Sequence, residues 1–101
     1  MNVHYISEQN SILNHFLTQL RDVNIQKDSM RFRKNIERIG EIMAYELSKN
    51  LEYKDIAVQT PLGIKHTTTI AENIVLCSIL RAGLALHQGF MNFFDDAENG
   101  F

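Results

Sequence analysis

The segment Ile74-Val75-Leu76-Cys77-Ser78-Ile79-Leu80 is nearly continuously apolar and does not alternate. A strand with one wet face alternates; an unbroken run is how a strand buried on both faces reads, typically in a parallel sheet with helices on each side. Arg81-Ala82-Gly83 breaks the run, and a helical pattern follows over Leu84–Phe94, rich in Leu84, Leu86, Phe90, Met91 and Phe94. A parallel neighbour has to be reached through a crossover. The sequence supplies one such strand and the helix that leads away from it, then closes on Asp95-Asp96-Ala97-Glu98-Asn99-Gly100-Phe101, which reads as a polar turn with one apolar residue at its tip. The expectation is an α/β chain that forms the N-terminal part of a larger domain, with no internal boundary over residues 1–101; the alternative is a sheet completed by another chain.

Upstream, Leu13, Phe16, Leu17 and Leu20 recur at helical spacing, which predicts a helix over about Asn10–Asp22 capped by Asn10 or Ser11. After a polar stretch, Val23–Lys27, a second helix is expected over Ser29–Asn50 with Asp28 as its cap. Its apolar stripe is Phe32, Ile36, Ile39, Met43 and Leu47. Gly40 lies within that stripe, at a usual cost of about 1 kcal/mol against alanine, so another element is expected to pack closely there. The period then changes. Ile56–Thr60 alternates, Thr60-Pro61-Leu62-Gly63 has the pattern of a type I turn, and Ile64, His66, Thr68 and Ile70 share one face of a returning strand. Together these predict a β-hairpin arm.

The composition removes several classes. Ten Lys and Arg against twelve Asp and Glu give a net charge of −2, which excludes a histone-like nucleic-acid binder. A single cysteine cannot form an intrachain disulfide. The start MNVHYISEQN has no basic or apolar character of a signal peptide, and no run approaches the roughly 18–20 apolar residues that span a bilayer. A cytoplasmic chain with no membrane partner is expected.

In open α/β sheets, ligands bind outside the carboxyl ends of the strands. Leu80-Arg81-Ala82-Gly83 falls at such an end. Gly83 permits a tight turn, the helix beginning near Leu84 presents a partial positive charge, and the planar Arg81 guanidinium matches phosphate oxygens. Strand, Arg-Gly loop and helix make an anion site; the alternative for Arg81 is a side chain that only solvates a loop.

Gln59-Thr60-Pro61-Leu62-Gly63, followed about sixteen residues later by Ile79-Leu80-Arg81-Ala82-Gly83-Leu84 and then His87-Gln88-Gly89, resembles uracil phosphoribosyltransferase of the bacterial type. Leu20-Arg21-Asp22 and Ile42-Met43-Ala44-Tyr45-Glu46 are also similar, and the resemblance runs from about Ser11 to Phe101. It implies a type I phosphoribosyltransferase-like parallel sheet core, incomplete here, with two N-terminal helices and a β-hairpin arm. The implied reaction forms UMP and pyrophosphate from uracil and phosphoribosyl pyrophosphate (PRPP), in pyrimidine salvage. By resemblance, Arg81 holds the pyrophosphate of PRPP, with Leu80, Ala82 and Gly83 shaping the loop. Magnesium bound through PRPP and a homo-oligomer are implied too. The resemblance assigns no covalent catalytic residue, and no nucleophile in the sequence demands one. The chain is roughly half the length of typical members; their Thr-Gly-Gly loop for the 5′-phosphate and their uracil-recognising segment are not in it, so a fragment inactive alone is expected. The second reading is a non-catalytic anion-binding or assembly module of the same fold.

The remaining residues carry less. Cys77, mid-run, reads as an inert core thiol. His4, His15, His66 and His87 show no metal-ligand spacing; His87, on the helix after the Arg loop, could approach a ligand, but reads rather as a packing or surface residue. Asp95, Asp96 and Glu98 lack a calcium-loop arrangement and read as a solvated turn. Lys27, Arg31, Arg33, Lys34 and Arg38 concentrate positive charge around the second helix. Pairing of Arg33 with Glu37 and of Arg38 with Glu41 accounts for much of it, rather than RNA binding.

Overall fold

A computed structural model describes residues 3–78 and 83–100. A short 3-10 turn, Ile6–Glu8, precedes helix α1 at Ile12–Arg21 and helix α2 at Ser29–Ser48. Strands β1 at Tyr53–Thr60 and β2 at Gly63–Ile70 follow, then strand β3 at Val75–Cys77, helix α3 at Leu84–Met91 and strand β4 at Glu98–Gly100. The result is a mixed α/β arrangement with two N-terminal helices and a hairpin. No helix among the described residues is long and apolar enough to cross a membrane.

The helix starts follow their capping chemistry. The Ser11 hydroxyl accepts from the Leu13 amide at 3.2 Å, and the Asp28 carboxylate accepts from the Arg31 amide at 3.1 Å. Leu13 of α1 is buried against α2, with Ile39 and Ala44 as the buried apolar residues of the longer helix. Phe32 and Leu47, at the two ends of the expected stripe, stay exposed. Between α1 and α2 the buried contact is polar. Asn35, 1% exposed, donates to Gln19 Oε1 at 2.8 Å and accepts from Arg38 at 3.3 Å. The Arg38 guanidinium also lies 5.4 Å from the centre of the Phe16 ring, a cation–π distance.

Helix α3 packs on α2 at the position the sequence marked. A Cβ at Gly40 would lie 2.5 Å from the Leu86 carbonyl oxygen, and one at Gly89 would lie 2.8 Å from the Glu41 nitrogen. Both obstacles are backbone. The two helices therefore touch main chain to main chain, and Asn92, just past α3, donates to Glu37 and Glu41 at 3.1 Å each.

The hairpin is antiparallel with Tyr53 opposite Ile70 and Thr60 opposite Gly63. Leu62 does not take a positive φ, which a type II turn would require, and Gly63 takes φ +131. The Thr60 hydroxyl donates to the Gly63 carbonyl at 2.6 Å and accepts from the Leu62 amide at 3.3 Å. Most residues of both strands are exposed on both faces, so the arm stands clear of the helices.

Four expectations are corrected. The tail is not only a polar turn: Glu98–Gly100 forms β4, which pairs parallel with β3 through the α3 crossover. The described part of the apolar run is a strand over Val75–Cys77 alone, with Val75 and Cys77 exposed; Ile79 and Leu80 lie outside the described residues. Cys77 is therefore not a core thiol. Among the described residues β3 has β4 beside it and α3 packed on it, which leaves Val75 and Cys77 uncovered. The charge pairing on α2 also differs, since Glu37 takes Lys34 at 3.1 Å.

Gly40→Ala and Gly89→Ala are each expected to destabilise the fold by about 2 kcal/mol or more, because the added methyl group meets backbone. A solvated helix position would show the opposite sign, a gain of up to about 1 kcal/mol. Urea unfolding separates the two. A double-mutant cycle of Asn35→Ala with Gln19→Ala is expected to give a coupling of about 1 kcal/mol, read from the same unfolding curves.

Candidate anion-binding site at the β3–α3 connection

Strand β3 is short, and its position is fixed by β4. Val75 faces Glu98, Leu76 faces Asn99 and Cys77 faces Gly100 in a parallel ladder. The Glu98 amide donates to the Ile74 carbonyl at 3.0 Å, and the Ser78 amide donates to the Gly100 carbonyl at 3.2 Å. The carboxyl ends of both strands thus lie level, on the side from which the chain leaves β3 toward α3. This is where a parallel α/β sheet offers a ligand site.

The connection spans residues 78–83. Leu80, Arg81 and Ala82 of the expected pyrophosphate loop lie outside the described residues; Gly83 lies within them. Gly83 caps α3 with φ −80 and ψ −6, right-handed values open to any residue, and its carbonyl accepts from the His87 amide at 2.9 Å. Among the described residues no side chain caps this helix start. The first-turn N–H groups, which have no partner inside a helix, face the connection with the positive end of the helix dipole.

One residue near the site, Ser78, was not singled out for it by sequence reasoning. The Ser78 hydroxyl is buried and has no hydrogen-bond partner among the described residues. Its signal in the sequence was faint: one polar residue inside an apolar run. His87 is 7% exposed, and its Nε2 lies 2.8 Å from Asn99 Oδ1, so it joins α3 to β4. The packing role expected of it holds, with β4 as the partner.

Among the described residues no group of three or more His, Cys, Asp or Glu is placed to hold a metal ion. A hollow of about 990 Å³ lies between the N-terminal segment and α2 and is lined by Tyr5, Phe16, Arg38 and Tyr45 among others. None of its described lining residues belongs to β3, α3 or β4.

The family model described as uracil phosphoribosyltransferase matches residues 6–101. A curated uracil phosphoribosyltransferase of Porphyromonas gingivalis is 48% identical over 101 residues, covering 100% of this chain and 47% of the relative. That of Sulfolobus acidocaldarius is 44% identical over 92 residues, covering 88% of this chain and 42% of the relative. A solved structure of a protein from Aquifex aeolicus superposes with a TM-score of 0.76 at 26% identity, over 90% of this chain and 43% of its own. The chain spans about half the length of the curated relatives it matches. With a family model matching residues 6–101 and a relative 48% identical across the whole chain, the chain belongs to the uracil phosphoribosyltransferase family.

Proposed function

We propose that this chain is the N-terminal part of a single phosphoribosyltransferase domain that transfers the phosphoribosyl group of PRPP to uracil, releasing pyrophosphate and forming UMP. The observation that carries the reading is the 48% identity over the whole chain to a curated uracil phosphoribosyltransferase. The parallel β3–α3–β4 unit supports it, because Leu80-Arg81-Ala82-Gly83 falls in the connection at the carboxyl end of β3.

Transfer from PRPP builds positive charge at ribose C1 and negative charge on the departing pyrophosphate. A guanidinium fixed beside the leaving group stabilises the transition state more than the ground state. Arg81 takes that part, with the α3 amides adding a partial positive charge behind it. Magnesium would enter with the substrate, bound through PRPP rather than by a residue of this chain, and would share in neutralising the leaving group's charge. Uracil recognition and the 5′-phosphate site belong to the remainder of the domain. The exposed β1–β2 arm is the element a second copy would meet in a homo-oligomer, and the enzyme acts in the cytoplasm.

In the complete enzyme carrying this chain, Arg81→Ala is expected to lower kcat/KM for PRPP by about 100-fold or more, on the scale of losing one preorganised transition-state donor. Lys49→Ala, on the exposed end of α2, is expected to leave it unchanged. Unaltered PRPP kinetics in the Arg81 variant would overturn the assignment. The 101-residue chain alone is expected to form no UMP, and activity is expected to return when the rest of the domain is supplied in trans. Tight assembly without activity in any pairing would favour a non-catalytic module of the same fold.

A further inference from the structure

Strand β4 carries a pair of residues with a chemistry of its own. Asn99 is the one asparagine of the sequence that precedes a glycine. A backbone amide nitrogen can attack the carboxamide of a preceding asparagine and close a succinimide ring. A side chain on the attacking residue crowds that approach, and glycine has none. Asn99 is exposed, so water reaches it.

The fold restrains both reacting groups. The Glu98 amide donates to the Ile74 carbonyl at 3.0 Å, and the Ser78 amide donates to the Gly100 carbonyl at 3.2 Å. With Gly100 opposite Cys77, that parallel spacing turns the Gly100 N–H toward the Leu76 carbonyl. The carboxamide is held as well. Its oxygen only accepts, so His87 Nε2 donates to Asn99 Oδ1 at 2.8 Å, while Asn99 Nδ2 donates to the Ala97 carbonyl at 3.5 Å. Ring closure needs the N–H freed and the carboxamide turned onto it. The restraint is local: β4 is three residues long, and among the described residues β3 is its one neighbour. A strand of that kind opens without global unfolding.

We propose that Asn99–Gly100 is a deamidation site, at which opening of β4 lets Asn99 convert to isoaspartate and aspartate. The Gly100 nitrogen bonds to Asn99 Cγ and gives its proton to water; the Cγ–Nδ2 bond breaks, and that nitrogen leaves as ammonia. Water then opens the ring without any oxidation or reduction. Cleavage at the Cγ side gives aspartate, and cleavage at the main-chain carbonyl gives isoaspartate. The products differ in effect. Aspartate keeps the backbone and presents a carboxylate that accepts from His87. Isoaspartate routes the main chain through Cβ and Cγ, which lengthens it, displaces Gly100 from Cys77 and unpairs the carboxyl end of β3.

The test incubates the complete enzyme carrying this chain in warm, mildly alkaline buffer and maps its peptides by mass spectrometry, with chromatography to separate the two acids. Asn99 is expected to show the mass gain of amide-to-acid conversion ahead of Asn10 and Asn50, which are exposed but precede larger residues. In urea the conversion is expected to run about tenfold faster or more, the ratio set by an opening free energy of about 1.4 kcal/mol or more. Gly100→Ala is combined with Cys77→Ala, because a Cβ at position 100 would lie 2.9 Å from Cys77 Sγ. This double variant is expected to slow conversion at Asn99 in native buffer and in urea alike, and the urea arm reads the chemistry whether or not the variant folds. The isoaspartate form, separated by ion exchange, is expected to unfold at a lower temperature than Asn99→Asp. Conversion at Asn10 or Asn50 ahead of Asn99 would overturn the proposal. So would an Asn99 that stays intact in the native enzyme, or one that converts equally fast in native buffer and in urea.

Discussion

The contact of α2 with α3 at Gly40 and Gly89 is the constraint on which the other placements depend. Glycine within a helix costs about 1 kcal/mol relative to alanine, and both helices accept that cost at the same crossing. What they gain is backbone-to-backbone approach, with the Leu86 carbonyl lying where a Gly40 side chain would stand. A side chain on either residue would push α3 outward. Because α3 is the crossover between β3 and β4, such a shift would carry the strand–helix connection with it. The geometry of the candidate anion site is therefore set in part by residues that touch no ligand.

The rest of the chain divides by how it is held. The helical layer has a small buried set, Leu13, Ile39 and Ala44, supplemented by the polar contact of Asn35 with Gln19 and Arg38. The β1–β2 arm has its own ladder and turn but almost no buried side chain. A two-stranded hairpin is marginal in water when it packs on nothing. Its Thr60 and Gly63 turn bond, and the Glu52 carbonyl that accepts from Ala71 at 2.8 Å, hold its two ends. The long exposed surface between them is consistent with an element whose stability is completed by a neighbour.

Much of this was legible in the residues. The apolar spacing of Leu13, Phe16, Leu17 and Leu20, with Ser11 before it, located α1; Asp28 located the start of α2; Pro61 and Gly63 located the hairpin turn. Gly40 within the apolar stripe announces a close helix crossing, and its partner there is Gly89. The failures have one physical origin. A hydropathy pattern reports what a segment could bury, whereas burial depends on which neighbours arrive. Val75 and Cys77 are apolar enough for a sheet interior, yet with β4 alone beside them they remain exposed. The pairing of Glu37 with Lys34 in preference to Arg33 was equally invisible, because both cations lie within reach of the same carboxylate on one helix. Leu80, Arg81 and Ala82 entered through the chemistry of the loop and through family resemblance, and Gly83 alone of that set is placed by the described structure.

Strand β4 shows why a polar segment can be a strand at all. Glu98, Asn99 and Gly100 have little intrinsic strand preference and no apolar face to specify which residue lies opposite which. A weakly patterned strand is prone to slip, and a slip of one residue turns every side chain to the other face of the sheet. Here the register is pinned from the side. The buried His87 ring of α3 meets Asn99 at 2.8 Å, a contact that survives only while Leu76 stands opposite Asn99. A slip would turn Asn99 away and break that contact. The polar character of β4 therefore specifies its pairing where apolar alternation cannot, and it does so through the same helix whose first turn faces the candidate anion site.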